Sequence, residues 1–583
     1  MLLDILTTTW DYVVTNPKPS IIILLLLLGV YHLVVYPLFL SPLKDIPGPY
    51  HYRLTKLFAL NGQRTQTWIQ TVYDLHRQYG DVVILSPSEI SVNGDFKYVQ
   101  DIYVRNFPKS PFYENFRNHG HRDNMFASLE NDRHLSYKKL LTQLYQKSAI
   151  FSPQNTTRDM LVEKISQLVG QVRQSSVLGT HPDFINAESK HNEYGKGHVE
   201  GSGAWFDHSR GKNLGIDVYS LFASLAMDAV SAFELGVENG TNLLLHPEDR
   251  HIIVSHRLQA GMGFWTTLAP QWWEWAATPQ IMEASKIVEK WQLELYAGAE
   301  ANVPKLTHAN QNLTSLETLK SHGFYGKDAY SFLSDNIFAG HETTAIQLSY
   351  LTYELSRPCN WAIQEKLSQE LKDYFGEPTA STTEILSDLE TIDTLPFLDA
   401  LFQENLRVHA SIPGAEPRVV DKPYKVLISS ERAVTLPRGT TISCQPYSIH
   451  RNEDVFPNPD EFLPDRWLQH KDESDFEFKQ RIIRQQRYMM PFGKGIRMCL
   501  GMNLAMIEMK MAMANLYWRY SSRISPDWCE ITKSSDASVI PLGESRQGNN
   551  TTDEEKMCMV DAYTMRPLND ECWLRWYDRR EVE

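Results

Sequence analysis

At 583 residues, with a formal net charge of -14, the chain is long enough for several average domains, yet it shows no internal repeat and no long low-complexity linker. The acidic balance, 71 Asp and Glu against 57 Lys and Arg, argues against nucleic acid as a partner. Cysteines at 359, 444, 499, 529, 558 and 572 form no C-x-x-C pair and exclude a dense disulfide framework, which suits a reducing compartment. One large, mainly helical domain with insertions is the economical reading.

The first element is an apolar run. Residues 20–40, SIIILLLLLGVYHLVVYPLFL, carry no charge apart from a titratable His32 and match the thickness of a bilayer's hydrocarbon core. Gly29 and Pro37 are tolerated in such a span. A cleaved signal peptide is the main rival. Asp4 and Asp11 stand where a basic region belongs and no clean small-x-small site follows, so an uncleaved transmembrane anchor is favoured. Lys44, Arg53, Lys56 and Arg64 follow the span and only Lys18 shortly precedes it, which places residues 1–19 on the lumenal side and the remainder in the cytosol. The sequons at Asn155, Asn239, Asn312, Asn549 and Asn550 would then never meet the glycosylation machinery. Ile46-Pro-Gly-Pro49, within 41–50, reads as a stiff hinge before a main domain over 51–583.

Residues 130–147 and 156–173 are predicted helices, the first with a basic face. Polar composition near 174–213 reads as a surface insertion, and 214–235 as a strongly apolar core helix. Trp265, Trp272, Trp273, Trp275 and Trp291 crowd the stretch 260–300, where packing and contact with lipid or ligand stay equally open. A long helical run covers 328–375, a further helix 393–409, and a Pro-rich loop 456–467. A second polar insertion, 530–560, is expected to extend a terminal β-hairpin away from the core.

Four short motifs punctuate these elements. Ala339-Gly-His-Glu-Thr-Thr344 places a glycine inside the long helix at a cost of about 1 kcal/mol relative to alanine. A helix contact through small residues, and a bond from the Thr343 hydroxyl back to a carbonyl, are the plain explanations. Glu404 and Arg407 lie at i and i+3 on one helical face, a spacing that is common and weak by itself. Phe462-Leu-Pro-Asp-Arg-Trp467 supplies Arg466. The decapeptide Phe492-Gly-Lys-Gly-Ile-Arg-Met-Cys-Leu-Gly501 sets Cys499 in a glycine-bracketed loop just before the helix-forming stretch from Met502. Backbone N–H groups at a helix start favour a thiolate, and the glycines admit a flat, bulky group. A buried small hydrophobe is the bland role for such a cysteine, and the spacing does not fit a phosphate loop.

The pattern F-x-x-G-x-R-x-C-x-G is matched at every specified position, and together with the three motifs upstream it makes the chain resemble the cytochrome P450 family from Pro47 onward. The hinge and the polar insertions are similar to those of membrane-anchored filamentous-fungal members. The resemblance implies a mainly α fold with small β-sheets behind one N-terminal transmembrane helix, single-pass in the endoplasmic reticulum. It implies haem b with Cys499 as axial iron ligand, in a loop framed by Phe492, Gly493 and Gly501. Arg497, Arg418 and the His134–Lys138 pair are the implied partners of the haem propionates; the family has W-x-x-x-R where this chain has His134-Leu-Ser-Tyr-Lys138. Ala339 and Gly340 are implied to leave room for dioxygen, and Glu342 and Thr343 to supply protons. Glu404, Arg407 and Arg466 are implied to be structural, with Asp465 standing where the family often has glutamate.

No flavin or nicotinamide fold is legible, so electrons are expected from NADPH through cytochrome P450 reductase, with cytochrome b5 as a further donor. Lys479, Arg481, Arg484, Arg487 and Lys494 are the expected docking patch. A hydrophobic small molecule is the expected substrate, bound by segments 105–128, 243–310, 335–344, 411–417 and 558–566. Tailoring in fungal secondary metabolism is the preferred role. Housekeeping oxidation of a lipid, sterol or cell-wall precursor, haem binding without turnover, and peroxide rearrangement are the alternatives.

Overall fold

A computed structural model describes residues 17–175, 204–207, 212–260, 277–302, 314–379, 384–532, 538 and 551–579. Its first helix, α1 (Lys18–Leu40), is long and apolar enough to cross a membrane, with a mean hydropathy of 2.5 and almost no burial. The hinge that follows is docked on the main domain. The Arg53 guanidinium donates to the carbonyls of Ile46 (2.6 Å) and Gly48 (2.8 Å), and Ile84 N–H donates to Pro47 O at 2.9 Å. Gly48 has φ +135°, and a β-carbon there would sit 2.8 Å from the Ile84 side chain.

The larger helices are α2 (Trp68–Tyr79), α3 (Asn131–Leu141), α4 (Thr156–Ser175), α5 (Val218–Leu235), α6 (His251–Ala260), α7 (Pro279–Asn302), α8 (Lys327–Ser356), α9 (Trp361–Phe375), α10 (Pro396–Val408), α11 (Asp475–Tyr488) and α12 (Met502–Arg519). One apolar core joins α4, α5, α8, α10 and α12. Helix α8 is its axis, buried over most of its 30 residues, and α5 is buried on every side, which is why a stretch so apolar lies inside the protein.

Among the described residues, two four-stranded sheets and two hairpins complete the fold. The first sheet orders β1 (Val82–Ser86), β2 (Glu89–Val92), β8 (Thr441–Ser443) and β5 (Arg418–Val419), with β2 and β8 parallel. The second orders β3 (Ala204–Asp207), β4 (Lys212–Asp217), β12 (Trp573–Asp578) and β9 (Tyr520–Ile524). The hairpins are β6–β7 (Tyr424–Leu427, Ala433–Leu436) and β10–β11 (Met559–Ala562, Thr564–Pro567).

Three expectations change. Residues 214–217 are strand and not helix: Gly215, at φ +81°, packs so close to the Leu574 carbonyl that only glycine fits, and Asp217 then caps α5 by accepting from Tyr219 N–H. The insertion expected over 174–213 therefore includes strand residues of the second sheet, while 176–203 lie outside the described residues. The second insertion does not run outward to 560. Asp553 is buried, accepting from Tyr353 O–H (2.9 Å) and Thr532, and Met557 to Val560 are core. Trp265, Trp272, Trp273 and Trp275 lie outside the described residues, as do Asn312, Asn549 and Asn550. Trp291 packs edge-on to His256.

Candidate active site

The Cys499 loop is pinned from three sides. Cys499 N–H donates to Phe492 O at 2.8 Å, closing the turn. The Lys138 ammonium donates to the carbonyls of Ile496 (2.9 Å) and Met498 (2.6 Å), and His134 spans Met125 O (3.0 Å) and Ile496 O (3.4 Å). Arg497 reaches Ser128 O and Leu129 O at 2.8 Å each, and the Asn131 side chain. His134 and Lys138 thus hold the loop's own backbone. At Gly493 (φ +69°) and Gly501, the residue before α12, a β-carbon would make only ordinary contacts, at 3.7 Å from the Glu416 carboxylate and the Tyr145 ring, whereas Gly495 (φ +70°) is sterically required, because a β-carbon would lie 2.2 Å from Tyr103 O. Phe492 packs with Met489 and Trp467 beneath. Burial pushes the Cys499 thiol up, opposed by the Gly501 and Met502 N–H groups and the Lys138 ammonium. Its sulfur nevertheless borders open space.

Beneath this loop, Glu404 and Arg407 form a fully buried double bridge (2.8 and 2.9 Å), and Arg466 and Trp467 complete it at 3.0 and 2.9 Å. Arg407 also donates to the carbonyls of His450, Pro459 and Glu461.

On α8, Ala339 is exposed in the middle of a buried helix, so it also borders open space. Asp335, one turn earlier, is close enough for its charge to be felt at Cys499. Gly340 points elsewhere: a β-carbon there would meet Val230 Cγ2 of α5 at 2.7 Å. Its smallness serves the α5–α8 contact and does not make room for dioxygen, which corrects that expectation. Thr343 Oγ1 donates back to Ala339 O at 2.6 Å, and Ser411 holds the Thr343 carbonyl at 2.9 Å. Glu342 accepts from Tyr219 O–H at 2.6 Å. Burial raises its pKa, but Arg257, His341 and Tyr219 outweigh burial and hold the carboxyl below its usual range.

A cluster of cations lies beside the loop. Lys109 and Arg418 are buried and Arg497 is partly so; Glu416 lies 3.5 Å from Arg418, and Asp335 and Glu416 both act on Lys109. Burial, then Arg418 and Arg497, push the Lys109 pKa well down; burial, then Arg418, push Arg497 down to about 10. Arg418 Nε is buried without a partner among the described residues.

Residues 206–543 match the sequence profile of the family described as Cytochrome P450. The chain belongs to the cytochrome P450 family. Among its relatives, cytochrome P450 monooxygenase FGM1 of Gibberella zeae is 25% identical over 524 residues, covering 85% of this chain and 90% of its own length. Cytochrome P450 monooxygenase hkm5 of Aspergillus hancockii is 26% identical over 524 residues, covering 86% and 88%. Cytochrome P450 monooxygenase BOT1 of Botryotinia fuckeliana is 25% identical over 532 residues, covering 85% and 90%. The protein is a P450 monooxygenase, an oxidoreductase of a family whose cofactor is a thiolate-bound haem.

The residues present fit that group. A P450 haem brings a metal for a thiolate and two carboxylates for cations. Cys499 offers the first, and the Lys109–Arg418–Arg497 cluster, with its orphaned Nε, offers a surplus of positive charge for the second. Sequence reasoning missed Lys109, which sits in an irregular loop with no motif around it.

A cavity of about 660 Å³ extends from Phe338, beside Ala339, to the helix Leu57–Arg64. All five segments expected to bind substrate contribute to it; residues 56–69 and Glu89 were not foreseen. Its wall mixes Phe112, Phe116 and Ile412 with Asp335, Asn115 and Glu89, so it is less apolar than expected. Burial pushes Asp335 up to about 7. On the expected docking face, Lys479, Arg484 and Arg487 are exposed. Arg481 is withdrawn from that face by Glu473 at 2.7 Å and by the Leu468 carbonyl, and Lys494 bonds Gln486 O at 2.9 Å.

Proposed function

We propose that the protein oxidises a small, mainly apolar molecule, with Cys499 as the haem-iron ligand and Glu342 and Thr343 as the proton-handling pair, in a tailoring step of fungal secondary metabolism. The observation that carries this reading is the Cys499 loop, which pins its backbone on every side yet leaves the sulfur open at the start of α12. The haem, when bound, supplies the oxidising chemistry.

The chain's own residues do the rest. Lys109, Arg418 and Arg497 neutralise the propionates. Ala339 keeps α8 small beside the reacting space, and Thr343, its hydroxyl hydrogen committed to Ala339 O, offers lone pairs to water. The apolar wall from Phe112 to Ile412 orients the substrate, and Asp335 and Asn115 select for a polar substituent on it. Electrons come from NADPH through P450 reductase, with cytochrome b5 as a second donor, at the exposed Lys479, Arg484 and Arg487. Helix α1 anchors the chain in the endoplasmic reticulum with the main domain cytosolic.

The test is a metabolite comparison between the source organism and a strain carrying Cys499→Ala. Accumulation of a scaffold lacking one oxygen or one ring closure is the expected result and names the substrate. An unchanged profile alongside altered sterol, lipid or wall composition would replace tailoring with housekeeping oxidation.

A further inference from the structure

Beside α8, next to the large cavity, lies a second and much smaller space. It measures about 10 Å³, the room one water molecule needs, and is lined by His256, Arg257 and Ala260 of α6, Phe338, His341 and Glu342 of α8, and Ala562, Thr564 and Arg566 of the β10–β11 hairpin. Much of the wall is apolar, but the polar side chains on it carry several unsatisfied atoms. Both ring nitrogens of His256, Nε and one Nη of Arg257, Nε2 of His341 and Oε2 of Glu342 are buried without a partner among the described residues. Buried polar groups are rarely left so, and a cluster of them around one void points to water.

The spacing supports that reading. Glu342 Oε2 lies 3.9 Å from Arg257 Nε and 3.8 Å from His341 Nε2, too far for direct hydrogen bonds and suited to one shared water. The chemistry is complementary as well. His341 Nδ1 commits its hydrogen to Ile337 O at 2.8 Å, so in the neutral ring Nε2 is an acceptor. A water that accepts from Arg257 and donates to His341 Nε2 and Glu342 Oε2 makes three bonds. Burial pushes the pKa of both rings down, which favours their neutral form; the titratable and charged groups around them among the described residues include Arg257, Glu342 with its partner Tyr219, and Arg566, the last paired with Asp570 at 2.5 Å.

Of the residues that line both spaces, His256 is the one able to take up and release a proton at neutral pH. It lines both this chamber and the 660 Å³ cavity, and its ring stacks edge-on with His341 at 5.1 Å between centroids. We propose that the chamber holds one ordered water through which His256 passes protons from the substrate cavity to Glu342, with His341 as the residue that positions this water. A hydronium ion reaching the cavity from solvent gives a proton to the bare nitrogen of His256, and is left as water, as the other ring nitrogen gives its proton to the chamber water. That water hands one on to Glu342 Oε2. The ring is left as its other tautomer and resets by rotating about its Cβ–Cγ bond, so one proton moves and nothing is oxidised.

This inference rests on the proposed role of Glu342, and the test separates the two. The first measurement is a crystal structure of the wild-type holoenzyme that resolves waters: a water bonded to Arg257, His341 Nε2 and Glu342 Oε2 is expected, and a dry or side-chain-filled chamber overturns the proposal. The second uses full-length His256→Leu with P450 reductase and NADPH, without added substrate. NADPH consumption is expected to fall about tenfold, with a larger solvent deuterium isotope effect and more hydrogen peroxide released per NADPH. His341→Gln, which keeps an acceptor, is expected to retain most of the wild-type rate, and His341→Phe is not. Wild-type rates and isotope effects in His256→Leu overturn the relay. A wild-type protein that consumes no NADPH sinks the role of Glu342 instead, whatever the chamber holds.

Discussion

Two buried charged clusters flank the core, and they are built to opposite rules. Around Glu404, each carboxylate oxygen is bonded more than once, and Arg407 spends its donors on Glu404 and three backbone carbonyls. Around Glu342, one oxygen is bonded to Tyr219, and among the described residues the other is bare and Arg257, His256 and His341 keep unpartnered nitrogens. Burial opposes charge in both places, and in both the carboxyl stays below its usual range because cations outweigh it. The difference lies in what is left unsatisfied. A saturated network fixes geometry; an unsaturated one keeps room for water and protons to move.

The contrast is sharpest where chemistry and scaffold meet. Cys499→Ala is expected to abolish both turnover and the carbon monoxide difference band of a thiolate haem, leaving thermal unfolding of the apoprotein nearly unchanged. Glu404→Ala, in the saturated cluster, strands two buried arginines. Its expected loss is about 3–5 kcal/mol of stability, read by denaturant unfolding, with no holoprotein recovered. Glu342→Gln should show the reverse: a folded, haem-loaded protein whose NADPH-driven turnover falls about 100-fold. Unfolding of Glu342→Gln as severe as that of Glu404→Ala would erase the distinction.

Acid probes the scaffold more gently. His450 is locked neutral, donating from Nδ1 to Arg407 O and accepting Met490 N–H at Nε2, and burial holds its pKa at about 3; burial likewise holds His134 at about 4. Because these folded-state values lie below the ordinary 6.5, the unfolded chain takes up protons first. Stability present above pH 6.5 is therefore lost as pH falls from there towards 4 and below, which a pH series of thermal unfolding checks. The smallest effect is at the surface. Arg484→Glu with Arg487→Glu should slow NADPH-supported turnover about three- to tenfold and spare peroxide-supported turnover; equal loss in both would remove these residues from reductase docking.

Much of the saturated cluster was legible in the chain. Glu404, Arg407 and Arg466 sit in short motifs, and their partners are backbone carbonyls that any side chains can supply. The Cys499 loop was legible for the same reason. The open cluster was legible only in part: Glu342 lies in a motif, but Tyr219 is 123 residues away and Arg257 and His256 sit on a short helix whose pattern gives no hint of them. Partnership across such separations is set by how α5, α6 and α8 pack. Gly340 shows the converse error, since its motif suggested space on one side of α8 while Val230 fills the side it faces. Strand β4 was missed because the apolar run of α5 begins just beyond it, and periodicity does not mark where Asp217 ends one element and caps the next.

The docked hinge carries a last consequence. Arg53 ties α1 to the main domain, and Tyr50, Leu57 and Phe58 remain exposed on the segment whose Ala59 and Leu60 line the cavity. With α1 in a bilayer, that greasy rim would stand close to the lipid, beside residues that line the cavity. The apparent KM for an apolar substrate should then scale with the volume of lipid in the assay, and a compound's partition coefficient should count as much as its fit.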